Sequence, residues 1–341
     1  MLKVGFTFDL KDDYLKQGFS PEQAAEFDSL ETILFLEQAL KANNYQVEKI
    51  GGVKKLVNAL AKGKRWDIVF NICEGVKGFG RESQVPALLE AYNIPFVFSS
   101  SDVMMITMNK SIAKLLVEQH GLKTPKFAVI NNPNDIQNVN LPFPLFVKPL
   151  GEGTGKGIHD KSLVHNQVDL ENACMSILNE FHHPALVETY LSGRDFTVGV
   201  LGSGKEAYAL GVMEVKQKSG KKLISQCYYN KENCENVLDY SLATDDIAKN
   251  VAQLAVQCWQ VLGCHDAGRV DIRCDDQGTP YFLEVNPMAG LHPTHSDLPI
   301  LAHLSGMNHV ELIGKIMKYA LARHNLDAKG LKIISHQQQL A

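Results

Sequence analysis

Two features of the chain predict an α/β protein with a doubly wound parallel sheet first and antiparallel sheets after it. Over roughly the first hundred residues, short β-rich runs alternate with amphipathic helical stretches. Beyond them, β-rich runs follow one another more directly, and the last two are joined by a tight polar turn. The 341 residues, 45% hydrophobic and 21% charged, suffice for two or three cores.

Residues 3–8 suit a first buried strand. A polar stretch to Ala25 reads as a loop or short helix. Residues 26–43 place Phe27, Leu30, Ile33, Leu34, Leu36 and Leu40 at helical spacing. Strands are expected at 45–50, 66–71 and 94–98, and helices at 53–61 and 85–91, with Gly63 near the end of the first. No GxGxxG follows the first strand, so a Rossmann dinucleotide site, and with it an NAD-dependent oxidoreductase, has no support. A helix then runs from Lys110 to about residue 119, closed by Gly121. Strands are expected at 124–130, 142–150, 185–190, 196–201, 209–215 and 223–227. A long amphipathic helix spans 245–262, and strands 267–274 and 279–285 pair across DDQG. A helix at 308–323 closes the fold, and KIISHQQQLA reads as a frayed tail.

The formal net charge is −4 with no basic cluster, which argues against a nucleic-acid partner. No window holds the apolar run of about 18 residues that a membrane helix needs. The start reaches charged residues too soon for a secretory core. Cysteines at 73, 174, 227, 234, 258, 264 and 274 are odd in number and form no CxxC, which fits reduced thiols in a cytoplasm. Cys227 and Cys234 lack a matching His pair for zinc.

Chemistry gathers in the second part of the chain. Gly151–Gly157 holds four glycines in seven residues after a strand, with Thr154 and Lys156 among them. Such a run lets backbone N–H groups wrap a phosphate, and taken alone it serves equally as a flexible turn. It is no Walker loop, because Leu150 and Gly157 break GxxxxGK[ST]. Lys148 lies inside the apolar strand FVKP, where an ammonium needs a partner such as a phosphate or a carboxylate. Lys110 follows VMMITMN and alone reads as an ordinary lysine at a helix start. In GRVDIRCDDQGTPYFLEVNPMAG, Arg269 and Asp271 share one strand face, and Glu284 and Asn286 share a face of the neighbouring strand. Two carboxylates and an amide oxygen suit Mg²⁺, which also takes water and phosphate oxygens. The flanking Val270, Ile272, Leu283 and Val285 are too apolar for a solvent-facing sheet.

A lysine before helix 110–119, FVKP with EGTGKG, VETYLSGRDFTV, GRVD and LEVNPMAGLHPTHSDLP occur in the order seen in ATP-grasp ligases. The chain resembles the D-alanine–D-alanine ligase family over about residues 70–320, and more loosely before them. The resemblance implies a pre-ATP-grasp domain at 1–105, ATP-grasp subdomains at 106–195 and 196–325, and a tail at 326–341. It implies ATP phosphates on Lys110 and Lys148, a mobile cover in Gly151–Gly157 (Gly153, Thr154, Gly155 and Lys156 included), and an adenine edge at Glu188 and the backbone to Leu191. Asp195 would bind ribose, and Lys231 would match a further nucleotide-binding lysine. Asp271, Glu284 and Asn286 would hold two Mg²⁺ ions, with Mn²⁺ as an alternative. Arg269 would steady the tetrahedral intermediate, Glu26 would hold the first amino acid's ammonium, and Gly290 and Ser296 would face the second one's carboxylate. Homodimers through the N-terminal domain are common in the family.

The chain departs from the family pattern where the second substrate should bind. Asp195 stands where the family usually has Glu, Thr154 takes a Ser position, and Glu232, not Tyr, follows Lys231. GLHPTHSDLP is one residue longer than the usual turn and carries His292 and His295, which read either as substrate contacts or as solvated loop residues. Glu74 and Arg81 in EGVKGFGRES read either as site contacts or as parts of an ordinary βα loop. These features leave three readings: a D-alanine–D-alanine ligase, a related amino-acid ligase with another acceptor, and a non-catalytic nucleotide-binding module. The joint presence of Lys148, Arg269, Asp271, Glu284 and Asn286 argues against the last.

Overall fold

The computed structural model describes residues 1–181, 183–218 and 237–326. Strands β1 (Lys3–Phe8), β2 (Gln46–Lys49) and β3 (Ile68–Ile72) form a parallel sheet in the order β2-β1-β3. The short α1 (Lys11–Leu15) and then α2 (Leu30–Ala42) follow β1, α3 (Val53–Ala61) follows β2, and α4 (Gln84–Ala91) follows β3. Period-two alternation sends Phe6, Ile68 and Phe70 into one core with Leu36 and Leu40, and Val69 into another with Leu56, Leu60 and Leu89. Helices therefore cover both faces, as expected for a doubly wound sheet.

Two elements differ from expectation. The helix expected from residue 26 starts at Leu30, because Asp28 donates its backbone N–H to Asp9 and Ser29 caps the helix by accepting from Thr32 N. The fourth strand expected at 94–98 is reduced to a single parallel bridge, Val69 to Phe96. Its carbonyls at Phe96 and Phe98 accept from Arg323 (2.8 and 2.9 Å), and Phe98 turns out of extended geometry at φ 76°.

Among the described residues, three helices were not read from the sequence: α5 (Ser101–Met108), α7 (Gln167–Phe181) and the later helix Asp297–Leu304. Next after α5 comes α6 (Lys110–Gln119), separated from it by Asn109 alone, whose side chain caps α6. The second sheet, β4-β7-β5-β6, contains β4 (Phe127–Ile130), β5 (Leu145–Pro149), β6 (Leu163–Val164) and β7 (Ala185–Thr189), all paired antiparallel. The third sheet, β10-β9-β8-β11-β12, is also antiparallel throughout. It is built from β8 (Asp195–Leu201), β9 (Tyr208–Gln217), β10 (Leu238–Leu242), β11 (Ala267–Cys274) and β12 (Pro280–Asn286). The strand expected at 223–227 and Lys231 lie outside the described residues.

Helix α8 (Asp246–Val261) covers one face of this sheet through Val251, Ala255 and Trp259. Helix α9 (Asp297–Leu304) lies against the other, with Leu298 and Leu301 close to Gly199. The last helix, α10 (His309–Arg323), opens with a reciprocal Asn308–Glu311 capping box and buries Ile313, Ile316 and Met317 in the core of the first sheet. Both ends of the described chain thus share one core.

Gly268 on β11 has no room for a side chain. A Cβ there would meet the Asn286 carbonyl and lie 2.7 Å from the Trp259 ring. Gly268→Ala is expected to cost about 1–3 kcal/mol through overpacking, read as a lower urea midpoint at unchanged slope.

Candidate active site

The site lies where β5 and β7 of the second sheet face β11 and β12 of the third. Lys148 is buried on β5, and its Nζ lies 2.9 Å from Glu188 Oε2 on β7. A third residue joins this pair: Lys114, on the inner face of α6 and 0% exposed, places Nζ 2.5 Å from Glu188 Oε1. It also donates to Thr124 Oγ1 at 3.0 Å and to the Phe282 carbonyl at 3.2 Å. One carboxylate thus sits between two ammonium groups. Burial drags the Lys114 amine down to about 8 against the pull of Glu188. For Lys148, burial is outweighed by Glu188, so its amine lies above the ordinary value. Burial also opposes the Glu188 charge, but the two lysines outweigh it and hold the carboxyl below the usual range. The sequence reading missed Lys114. The available signal was its place in the apolar stripe of α6, beside Ala113 and Val117.

On the third sheet, Arg269 pairs across the ladder with Asn286, and Asp271 with Glu284. A register shift follows between Asp271 and Ile272. Arg269 Nη1 forms an ion pair with Asp271 Oδ2 and lies 3.4 Å from Asp297 Oδ2, at the first residue of α9. Thr197 on β8 donates to Asp271 Oδ1 at 3.0 Å. Lys110 begins α6 and reaches the Glu152 carbonyl at 2.7 Å and Glu284 Oε2 at 3.5 Å. Arg273, two residues beyond Asp271, lies 3.5 Å from Asp195 Oδ2 and donates to the Tyr190 hydroxyl at 3.2 Å. A cleft lined by Lys110, Phe146, Lys148, Glu188, Tyr190, Leu191, Asp195, Asp271, Arg273 and Glu284 joins these groups. It also takes in Gly153, Gly155 and Lys156.

The glycine loop is tied to the segment between α1 and α2 through Glu26. Its carboxylate accepts from Gly153 N at 2.9 Å, from Lys156 Nζ at 3.0 Å, and from Arg81 Nη2 at 3.1 and 3.2 Å. Arg81 also donates to the Gly151 carbonyl at 3.0 Å. Burial alone would raise the Glu26 pKa, but Arg81 and Lys156 reverse the shift and hold it low. Thr154, at φ 53°, turns the loop in the left-handed region that favours glycine.

A second cavity, about 400 Å³, opens between Glu26 and the third sheet. It is lined by Glu74, Glu82, Thr154, Arg269, Asn286, Gly290, His292, His295, Ser296 and Asp297. Ser296 Oγ accepts from His292 N at 3.0 Å, and a Cβ on Gly290 would lie 2.8 Å from that oxygen. The rings of His292 and His295 are 4.5 Å apart, and His292 Nε2 lies 3.5 Å from Glu31 Oε2. Burial, reinforced by neighbouring carboxylates, pushes the Glu74 carboxyl well above its usual range. Glu82 is pushed by burial to about 7.

Among the described residues, no three His, Cys, Asp or Glu side chains form a metal-holding group by themselves. Asp271, Glu284 and Asn286 supply two carboxylates and an amide on adjacent strands. That donor set fits a divalent cation that completes its shell with phosphate oxygens and water.

Two antiparallel sheets holding a cleft of buried lysines opposite paired carboxylates, under a glycine loop, define a ligase of the ATP-grasp class. The family model described as D-ala D-ala ligase C-terminus matches residues 116–318. A D-alanine–D-alanine ligase of Bordetella avium is 33% identical over 256 residues, covering 74% of this chain and 78% of that protein. One from Methylacidiphilum infernorum is 31% identical over 313 residues, covering 91% and 95%. The crystal structure of D-alanine–D-alanine ligase from Bacillus anthracis complexed with ATP has the same fold, with a TM-score of 0.69 at 19% identity over 95% of this chain and 98% of that one. The chain belongs to the D-alanine–D-alanine ligase family.

Lys114→Met is expected to leave Glu188 under-compensated and to cost about 3 kcal/mol in urea unfolding, near the low end for a broken buried pair because Lys148 remains. Between about pH 8 and 10.5 the unfolded lysine keeps a proton that the folded one has lost. Wild-type stability therefore gains a component that rises with pH across that window, and Lys114→Met should lack it when the two denaturation curves are compared.

Proposed function

We propose that this protein activates an amino-acid carboxylate with ATP and joins it to an amine, the best-supported reaction being formation of D-alanyl-D-alanine for peptidoglycan. The observation that carries this reading is the gathering of Lys148 and Asp271 in one cavity and Arg269 and Asn286 in the next, with Lys110 and Glu284 lining both.

A carboxylate cannot expel oxide, so it must first become an acyl phosphate. Lys110 and Lys148 would hold the phosphates, and Asp195 would take the ribose. Glu188, besides bordering the nucleotide cleft with Leu191, fixes Lys148. Two Mg²⁺ ions on Asp271, Glu284 and Asn286 would neutralise the charge on the phosphoryl oxygens. The donor carboxylate then attacks the γ-phosphorus, ADP leaves, and the acceptor nitrogen attacks the acyl carbon. Arg269 faces that carbon and offsets charge on its oxygen as the tetrahedral centre forms. The loop with Gly153, Thr154, Gly155 and Lys156, clasped by Glu26, excludes water that would hydrolyse the intermediate. Gly290, His295 and Ser296 border the acceptor end. In this division residues 1–105 supply the donor side, 106–195 the nucleotide cover, and 196–325 the metal and transfer groups. Cytoplasmic location and a homodimer through the first domain belong to the same reading.

A second reading keeps the chemistry and changes the acceptor. It is favoured by the histidine pair and by Asp297 beside Arg269 in the segment that is longer than the family's.

The test is ADP release with Mg·ATP against D- and L-amino acids, singly and in pairs, with product masses read. D-alanine alone is expected to give the dipeptide mass. Release only with other partners would move the substrate, and release with none would remove the ligase reading. Asp271→Asn, Glu284→Gln and Arg269→Ala are each expected to lower turnover by about 10²-fold or more with circular dichroism unchanged. Lys148→Ala should weaken ATP binding in calorimetry, and unchanged affinity would take Lys148 out of the site.

A further inference from the structure

We propose that Asp297 receives the acceptor's ammonium and takes its proton, an assignment that rests on the ligase reading above. An amine acceptor arrives at neutral pH largely as an ammonium and cannot attack until it sheds a proton. It must do so beside the acyl carbon, which Arg269 faces. Two carboxylates lie within ion-pair reach of the Arg269 guanidinium: Asp271 and Asp297. Asp271 already accepts from Arg269 and Thr197 and belongs to the metal set. Asp297 is outside that set and lines the acceptor cavity with Ser296 and Gly290. Its side chain is 11% exposed, so it is reached through that cavity. It occupies the first turn of α9, where the helix dipole favours a carboxylate. His295 lines the same cavity, but an imidazole offers no negative charge to hold an ammonium.

The step balances as follows. The ammonium gives one proton to an Asp297 oxygen, and the freed lone pair forms the C–N bond at the acyl carbon. The C–O bond to phosphorus oxygen breaks, and phosphate leaves with the electron pair. The second nitrogen proton goes to the departing phosphate, and Asp297 returns its proton to solvent.

Hydroxylamine separates this role from activation, because it is uncharged at neutral pH and needs no base. Wild-type protein, Asp297→Asn, Asp297→Glu and His295→Gln are incubated with Mg·ATP and D-alanine, with and without hydroxylamine. Hydroxamate and dipeptide are then quantified by mass. Asp297→Asn is expected to keep hydroxamate formation within about threefold and to lose dipeptide formation by about 10²-fold or more, the scale of general-base catalysis. Asp297→Glu is expected to recover part of that loss, and His295→Gln to produce no such split. Unchanged dipeptide formation in Asp297→Asn would overturn the proposal. So would a parallel fall of both products, which would make Asp297 a support for Arg269, or the split appearing in His295→Gln instead. If wild-type protein forms neither product, D-alanine is not its donor, and the assignment, which rests on that reading, fails with it.

Discussion

A buried ammonium must have a partner before any nucleotide arrives, and Glu188 supplies it for two lysines at once. Without that carboxylate, Lys148 on β5 and Lys114 on α6 would face each other in a low-dielectric interior, and one would lose its proton. The pairing has a reach beyond electrostatics. Lys114 also binds Thr124 and the Phe282 carbonyl, so a single node links α6, the second sheet and β12 of the third. The relative placement of β5 and β7 against β12 follows from it.

The second organising constraint is strand register. Period-two alternation puts Arg269, Asp271 and Arg273 on one face of β11, and ladder pairing brings Asn286 and Glu284 opposite the first two. The shift after Asp271 falls beside the Asp271–Glu284 pair, where an altered twist re-aims side chains. Thr197 on the other side of β11 fixes the Asp271 carboxylate, so its position is set from both neighbouring strands.

Much of this was legible from residue pattern. The hairpin of 267–274 and 279–285 agrees with β11 and β12 to within a residue, because alternation and the turn chemistry of DDQG are both local signals. Lys148 announced itself as a charge in an apolar strand, although its partner did not: Glu188 reads locally as one polar residue in a strand, and only the β5–β7 pairing brings the two together. Lys114 was passed over despite its place in the inner stripe of α6, since a lysine in an amphipathic helix ordinarily reads as surface. The fourth strand at 94–98 pairs with β3 only around Val69, because Phe98 leaves extended geometry at φ 76°, and its outward carbonyls at Phe96 and Phe98 go to Arg323. The clasp of Arg81, Glu26 and Lys156 is likewise non-local, and Glu26 gave no sign in the sequence of being the anion that joins them.

Under the proposed reaction, that clasp would tie the fate of the acyl phosphate to distant chain. Glu26 is 127 residues from Gly153, yet it is the anion on which the glycine loop closes. The loop therefore carries only part of its own latch: the catch lies between α1 and α2, beside a parallel sheet whose core is shared with β8, β11, α9 and α10. Freeing the glycine loop would require several charge-assisted hydrogen bonds to part together. Damage to the packing of that sheet, far from any reacting atom, would surface as futile ATP consumption, with the activated carboxylate lost to water before an amine could reach it.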